Sequence, residues 1–483
     1  MAARLDTRAR VKPPAGKAGG RDGREPGKPT VFPAARLQRL LGKEPHQWTV
    51  DDLVRVVDEE EIHLVTLMHV GGDGSLKAVD FVPRSREHLA EILAHGERAD
   101  GSSIFEGLPT GASDILLRPR LETAFLNPFA PFRSLAILCA HLDRKGRPLP
   151  ESPDTIVRRA YQRVSDELGL DYYALGEVEY FLGRPAGDAD AERPRDRGYH
   201  ATSPFVAGEA MRRRALRHLA DMGVPIKYAH AEVGLIDARK DQGRVWEQHE
   251  IELGLAPLPE AADAIVLTRW LLLNLAQEEG LSCRFDPIMK EGYAGSGLHI
   301  HSLPRSSVAS AAAFLKDGSV GPSGRWLIGG LVQLAPALMA FGNREASSFV
   351  RLLQAKETPV AITWGAYNRK ALIRLPLMAP GVRPGEAWPP TIEFRLPDGS
   401  ALPHLLLAGM AQALVAGHAT PDLETLLART CTHDADIDVA SMPQLPRDAE
   451  GVGAALAQAR PALEAGGVFP ASILEARMGA LGA

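Results

Sequence analysis

The chain has 483 residues, 45% of them hydrophobic and 24% charged, which suits a globular protein with a large core and predicts two or three domains. The net charge of −5 hides an asymmetry, because residues 1–30 carry eight Lys/Arg against Asp6, Asp22 and Glu25, leaving −10 for the remainder. An acidic body argues against nucleic acid as a partner. Cys139, Cys283 and Cys431 are far apart and form no CxxC pair, which argues against a disulfide framework or zinc knuckle and fits a reducing, cytoplasmic setting.

The tail "RVKPPAGKAGGRDGREPGKP" is rich in Gly, Pro and charge, and it predicts disorder over the tail and lead-in, 1–47. It has no apolar h-region and does not read as a secretory signal. "WTVDDLVRVVDEEEI" then predicts an amphipathic helix capped at Thr49 or Asp51. "HLVTLMHV" and "LKAVDFVP" read as strands joined by the hairpin turn "GGDGS". The helix "SREHLAEILAHG" and the strand "FRSLAILCAHLD" complete a small α+β domain, 48–145. A larger unit, 146–483, opens on the helix "SPDTIVRRAYQRVSDELG". It includes a polar loop at 184–198 and a second long helix, "AADAIVLTRWLLLNLAQEEG". The longest apolar run, Trp326 to Gly342, contains Gln333 and Pro336 and is short for a bilayer span. It reads as a buried helix, and no membrane partner is expected.

Four strand-like segments place charged or ligating residues at i and i+2. They are "GEVEYFL" with Glu177 and Glu179, "KYAHAEVGL" with His230 and Glu232, "GSGLHIHSL" with His299 and His301, and "TIEFRLP" with Glu393 and Arg395. In a strand such pairs share one face. Taken singly, an ExE is more often a solvated face and an HxH is as often a packed pair as a ligand pair. Four together line a sheet with groups that are seldom buried unless paired or metal-bound. An oxygen-rich donor set with histidine suits Mg²⁺ or Mn²⁺.

Seven motifs in order resemble the class I, bacterial and archaeal type, glutamine synthetase family over roughly residues 50–420. These are "DGSS" at Asp100–Ser103 with Asp114, "EVEYFL", "HAEV", "GSGLHIH", "VRLLQAKETPV", "NRKALIRLP" and "TIEFRLPDGSALPH". The resemblance implies a small β-grasp domain before a large glutamine synthetase/guanido kinase-like catalytic domain. It further implies a homo-oligomer, a dodecamer, with active sites between subunits. The implied reaction is ATP-dependent formation of glutamine from glutamate and ammonia through γ-glutamyl phosphate, with two divalent ions, Mg²⁺ or Mn²⁺, per site.

By motif position, Glu179, Glu232 and Glu250 would hold one ion, and Glu177, His299 and Glu393 the other. Asp100, Ser103, Tyr199 and Glu232 would surround ammonium, with Asp100 reaching a neighbouring subunit's site and Glu357 on a flap. Gly295, Arg351 and Arg395 would bind the acid substrate, His301 and Arg374 the nucleotide, and Arg369 would be catalytic. Glu250 rests on reading "EQHEIEL" against the family's "GQNEI", and a register shift would substitute Glu247.

The chain departs from the family at several positions. Ala294 stands where the family has an asparagine that helps seat glutamate. Tyr367 and Thr391 stand where it has arginines, Lys290 is displaced from a lysine position, and Leu303 replaces a serine that Ser302 adjoins. These departures keep open a γ-glutamyl-amine or other acid–amine ligase, and a poorly catalytic family member.

Overall fold

The computed structural model describes residues 35–482 apart from 107, 188–197, 238–240, 242, 307–313, 317–318, 355–357, 360, 378–389 and 433–438. The expectations for the tail, for most of the 184–198 loop and for Glu357 lie outside the described residues.

The protein is α+β, as the sequence predicts. The expected disorder of 1–47 does not extend through the lead-in: there the short α1 (Arg36–Leu41) inserts Leu37 and Leu41 into the core of the first sheet, and that burial orders the segment. Helix α2 (Val50–Glu59) starts at a Thr49–Asp52 capping box, which satisfies the two backbone donors at its open end. Strands β1 (Leu64–Val70) and β2 (Leu76–Phe81) form the expected hairpin, turning at Gly74 with φ +78°, a conformation that favours glycine. Helix α3 (Arg86–His95) follows. Then come β3 (Glu97–Asp100), β4 (Asp114–Pro119), β5 (Phe125–Leu126) and β6 (Ser134–Leu142). The sheet order is β2-β1-β6-β4-β3, with β5 on β6. β1 and β6 pair in parallel, and the other neighbours are antiparallel. Sequence reading missed β3, a short polar strand at the sheet edge, and β4, a six-residue strand between β6 and β3 that buries Ile115 and Leu117 beside the exposed Asp114 and Arg118.

Helix α4 (Pro153–Leu168) leads to the long β7 (Leu170–Pro185), followed by α5 (Glu209–Asp221), β8 (Ile226–Ile236) and β9 (Arg244–Leu253). The short β10 (Ala256–Pro257), helix α6 (Leu258–Glu278) and β11 (Ser282–Arg284) precede β12 (Leu298–Ser306) and the ribbon β13 (Leu315–Lys316) with β14 (Ser319–Val320). After α7 (Pro322–Gly342) and α8 (Ala346–Leu353) come β15 (Trp364–Ala366), β16 (Ile373–Leu375) and β17 (Ile392–Phe394). Helices α9 (Pro403–His418), α10 (Leu423–Thr430), α11 (Ala449–Glu464) and α12 (Ala471–Leu481) close the chain. The second sheet runs β15-β16-β17-β12-β7-β9-β8, with β10 and β11 also on β7.

Helix α7 extends four residues before the predicted run. Its length and composition would suit a bilayer, yet 78% of that stretch is buried. It is apolar all round because it is a core helix. At its crossing with α9 a Cβ on Gly330 would lie 1.7 Å from Ala413 O, and one on Gly417 1.8 Å from Trp326 O, so both glycines are required for that approach.

A buried polar chain sits where the first sheet meets α4. His69 Nδ1 lies 3.0 Å from His141 Nε2, whose Nδ1 lies 2.8 Å from Ser152 Oγ, and Phe105 packs edge-on against His141. One imidazole must donate to the other, so at least the accepting ring is neutral. Burial, reinforced by Lys77, pushes His69 down to about 4. Burial, reinforced by His69, Arg120 and His404, pushes His141 down to about 3. The unfolded chain therefore takes up protons first as pH falls below the ordinary value of 6.5, and stability is lost from there through the folded values. We expect the urea midpoint to fall between pH 6.5 and about 4, by a few kcal/mol in stability. In H141Q, which removes one of the two titrations, that fall should be clearly shallower, and an unchanged slope would refute the assignment.

Candidate active site

The register of the second sheet gathers ligating groups across its middle strands. Glu177 on β7 stands opposite His299 on β12 and Glu252 on β9, and Glu179 stands opposite Glu250. Glu250 is opposite His230 on β8, and Glu393 on β17 is opposite His301 and Arg374. Because side chains alternate, the apolar partners Val178, Tyr180, Ile251 and Ile300 point to the other face and pack in the core. The polar face lines a cavity of about 600 Å³.

Glu177 organises both histidines. Its Oε2 lies 2.7 Å from His299 Nδ1 and its Oε1 2.8 Å from His301 Nε2. A carboxylate only accepts, so both of those nitrogens carry the proton. His299 is left with its Nε2 facing the cavity, 4.0 Å from Glu179 Oε1. His301 Nδ1 meets Thr391 Oγ1 at 2.8 Å. Burial opposes the charge on Glu177, but His301 and His299 outweigh it and hold this carboxyl well below the usual range. For His301 burial opposes protonation and Glu177 outweighs it, so its value is raised. Glu393 is clasped by Arg374 at 2.6 Å and by Arg395. Burial disfavours charge on Arg395, yet Glu393 keeps it above the ordinary value.

On the other side Gln248 bridges Glu179 Oε2 and Gly295 O, both at 2.9 Å, while Gly297 N donates to Glu179 Oε2 at 2.8 Å. Glu250 is raised well above the ordinary carboxyl value, first by burial and then by Glu177, Glu179, Glu232 and Glu252 around it. Two donor sets suit a cation, Glu177/His299/Glu393 and His230/Glu232/Glu250, the atoms of each lying within 4.8 Å of one another. The first is the set expected from the sequence. In the second His230 stands where Glu179 was expected, because Glu179 is turned toward Gln248 and Gly297.

The fit to divalent ions rests on two observations. Four carboxylates, Glu177, Glu179, Glu232 and Glu252, crowd around Glu250, which needs a proton or a cation to relieve it. The space above Gly297 is also kept open, since a Cβ there would come within 2.6 Å of His299 Nε2 and 3.0 Å of Glu179 Oε1.

Tyr199, Glu232, Gly295, Arg351, Arg369, Arg374 and Arg395 all line this cavity. Arg351 is buried and donates to Leu396 O at 3.0 Å. Tyr199 is half-exposed and stacks on His200, and burial together with Glu232 raises its hydroxyl's value. Asp100 and Ser103 are not part of the lining. They sit at the edge of the first sheet, where Asp100 accepts from Ser102, Ser103 and Ser113 and is held well below its ordinary value by those hydroxyls.

The register question is answered by the strand. Glu250 lines the cavity, while Glu247 faces the opposite side and accepts from Ala207 N and Gly208 N at the start of α5. Ser302 also points away, bonded to Tyr172, and does not replace the serine missing at Leu303. Sequence reading passed over Lys227, Tyr228, Gln248 and Glu252. Alternation from Glu250 along β9 would have exposed the last two.

The fold and site together define an α+β enzyme with a carboxylate–imidazole cavity suited to divalent ions and phosphate chemistry. Residues 150–476 match the family model described as glutamine synthetase, catalytic domain, and the chain belongs to the glutamine synthetase family of ATP- and divalent-metal-dependent ligases. It is 28% identical over 408 residues to a glutamine synthetase of Thermotoga maritima, covering 82% of this chain and 88% of that one. The fold is shared with a Plasmodium falciparum glutamine synthetase solved by cryo-electron microscopy. The TM-score is 0.75 at 18% identity, covering 89% of this chain and 95% of that one. It is shared too with a ligand-free structure of a protein named GmaS, with a TM-score of 0.69 at 22% identity, covering 89% and 93%.

Two results are expected from metal binding. Titrating Mn²⁺ into chelator-stripped protein should release protons, seen as a buffer-dependent calorimetric heat that grows as pH is lowered, because burial and the surrounding carboxylates favour a proton on Glu250 that a cation displaces. G297A should weaken Mn²⁺ binding by about tenfold or more by filling the space between Glu179 and His299.

Proposed function

We propose that the protein is a glutamate–ammonia ligase that makes glutamine through γ-glutamyl phosphate, with ATP and two divalent ions. The observation that carries this reading is the pair of cation-binding sets in one cavity that also presents Arg351, Arg369, Arg374 and Arg395. Bound ions would neutralise crowded phosphate and carboxylate charge and align phosphoryl transfer to the substrate carboxylate.

The chain's own groups then have distinct tasks. Arg351, buried beside Gly295, takes the α-carboxylate of the acid, and Arg395 contacts it from the side of Glu393. Arg374 and His301 hold the nucleotide, and Arg369 meets the transferring phosphoryl group. Tyr199 and Glu232 face ammonium: the Tyr199 hydroxyl helps position it, and the Glu232 carboxylate draws off its proton. Asp100 and Ser103, with Glu357 on the flap, complete that pocket when the first sheet of a neighbouring subunit covers it. This assigns 48–145 to a β-grasp unit, 146–483 to the catalytic unit, and active sites to a ring-forming, dodecameric assembly in the cytoplasm.

A second reading, a ligase for another acid or amine, draws on Ala294. It lines the cavity with a methyl group where the family resemblance calls for an amide.

Phosphate release from ATP with Mg²⁺ or Mn²⁺ separates the two readings. The first requires release that depends on both glutamate and ammonium. Release only with another acid or an alkylamine selects the second. Under the pair that supports turnover, E393A and E250A, one from each set, should each lose activity by about 100-fold or more, and survival of either variant would rule out the two-metal reading.

A further inference from the structure

A third donor set lies beside the two assigned above. One oxygen each of Glu177 and Glu252 and one nitrogen of His301 fall within 4.8 Å of one another. Glu252 is only 1% exposed. Its Oε1 accepts from Lys227 Nζ at 2.6 Å, and its Oε2 has no hydrogen-bond partner among the described residues. A buried carboxylate with one orphaned oxygen demands a neighbouring cation. Lys227 supplies one from β8, with its ammonium 5.1 Å from the centroid of the Tyr228 ring.

We propose that Lys227 is a built-in cation, whose ammonium occupies the seat that Glu177, Glu252 and His301 would otherwise offer to a third divalent ion, so that the site takes two. This rests on the two-metal reading above. The charges support it. Glu393 is neutralised by its arginines, which leaves Glu177, Glu179, Glu232, Glu250 and Glu252 on the cavity wall. Two divalent ions and one ammonium carry as many charges as those five carboxylates, and the surplus positive charge of the cavity's arginines is left to face anionic ligands. Removing the ammonium leaves a net negative seat that already has three converging donors of the kind Mn²⁺ prefers.

The test is the Mn²⁺ stoichiometry of the full-length protein without nucleotide, counted by electron paramagnetic resonance of the free ion and by calorimetry. Wild type should bind two ions per subunit and K227M three. K227R, which keeps the charge, should stay at two, and the double variant K227M/E252Q should return to two because its third seat has lost a carboxylate. K227Q serves in place of K227M where the latter does not fold. Two ions in wild type and two in K227M would overturn this inference while leaving the two-metal reading intact, and so would a third ion that persists in K227M/E252Q. Three ions in wild type would overturn it as well. A folded wild type that binds no ion would overturn the two-metal reading and this inference with it.

Discussion

Everything in the cavity follows from placing carboxylates closer together than their charges allow. Glu250 sits among Glu177, Glu179, Glu232 and Glu252, and without cations it can only respond by keeping a proton. Glu177 meets the same problem differently and is held ionised by two imidazoles. Adjacent groups in one sheet are thus driven in opposite directions. A site of this kind costs folding stability, and the apolar bulk of α7 and α9 behind the sheet offsets that cost.

The sheet turns this crowding into geometry. Antiparallel register fixes which carboxylate faces which histidine, so the donors come from strands far apart in sequence. The side chains have little freedom left: Gln248 ties Glu179 to Gly295, Arg374 and Arg395 fix Glu393, and Glu177 fixes both imidazoles. Pre-set donors of this sort bind ions with little reorganisation, which is what phosphoryl transfer asks of its surroundings.

Most of this was legible in the sequence because alternation in a strand survives translation into one dimension. The i, i+2 pairs at Glu177/Glu179, His299/His301 and Glu393/Arg395 named three walls of the cavity before any coordinates. What stayed hidden depended on pairing between strands. That His230 rather than Glu179 completes the Glu232/Glu250 set follows from where Gln248 and Gly297 pull Glu179, which no local pattern encodes. The strands β3 and β4 were missed for a related reason. Both are short, β3 is polar, and it is their pairing with one another and with β6 that defines them.

The departures from the family pattern read differently once they are placed. Thr391 lacks the positive charge of an arginine, yet its hydroxyl meets His301 Nδ1 and so helps orient the ring that Glu177 grips from the other side. The position keeps a structural task in aiming His301 and gives up an electrostatic one. Ala294 has no such substitute, because an alkyl group cannot offer the hydrogen bonds of an amide to a bound amino acid. On the ligase reading proposed above, Thr391 would bear on how tightly an anionic ligand is held and Ala294 on which acid is recognised. On that reading, selectivity would turn on the Ala294–Gly295 corner beside Arg351, more than on the wall of carboxylates and imidazoles.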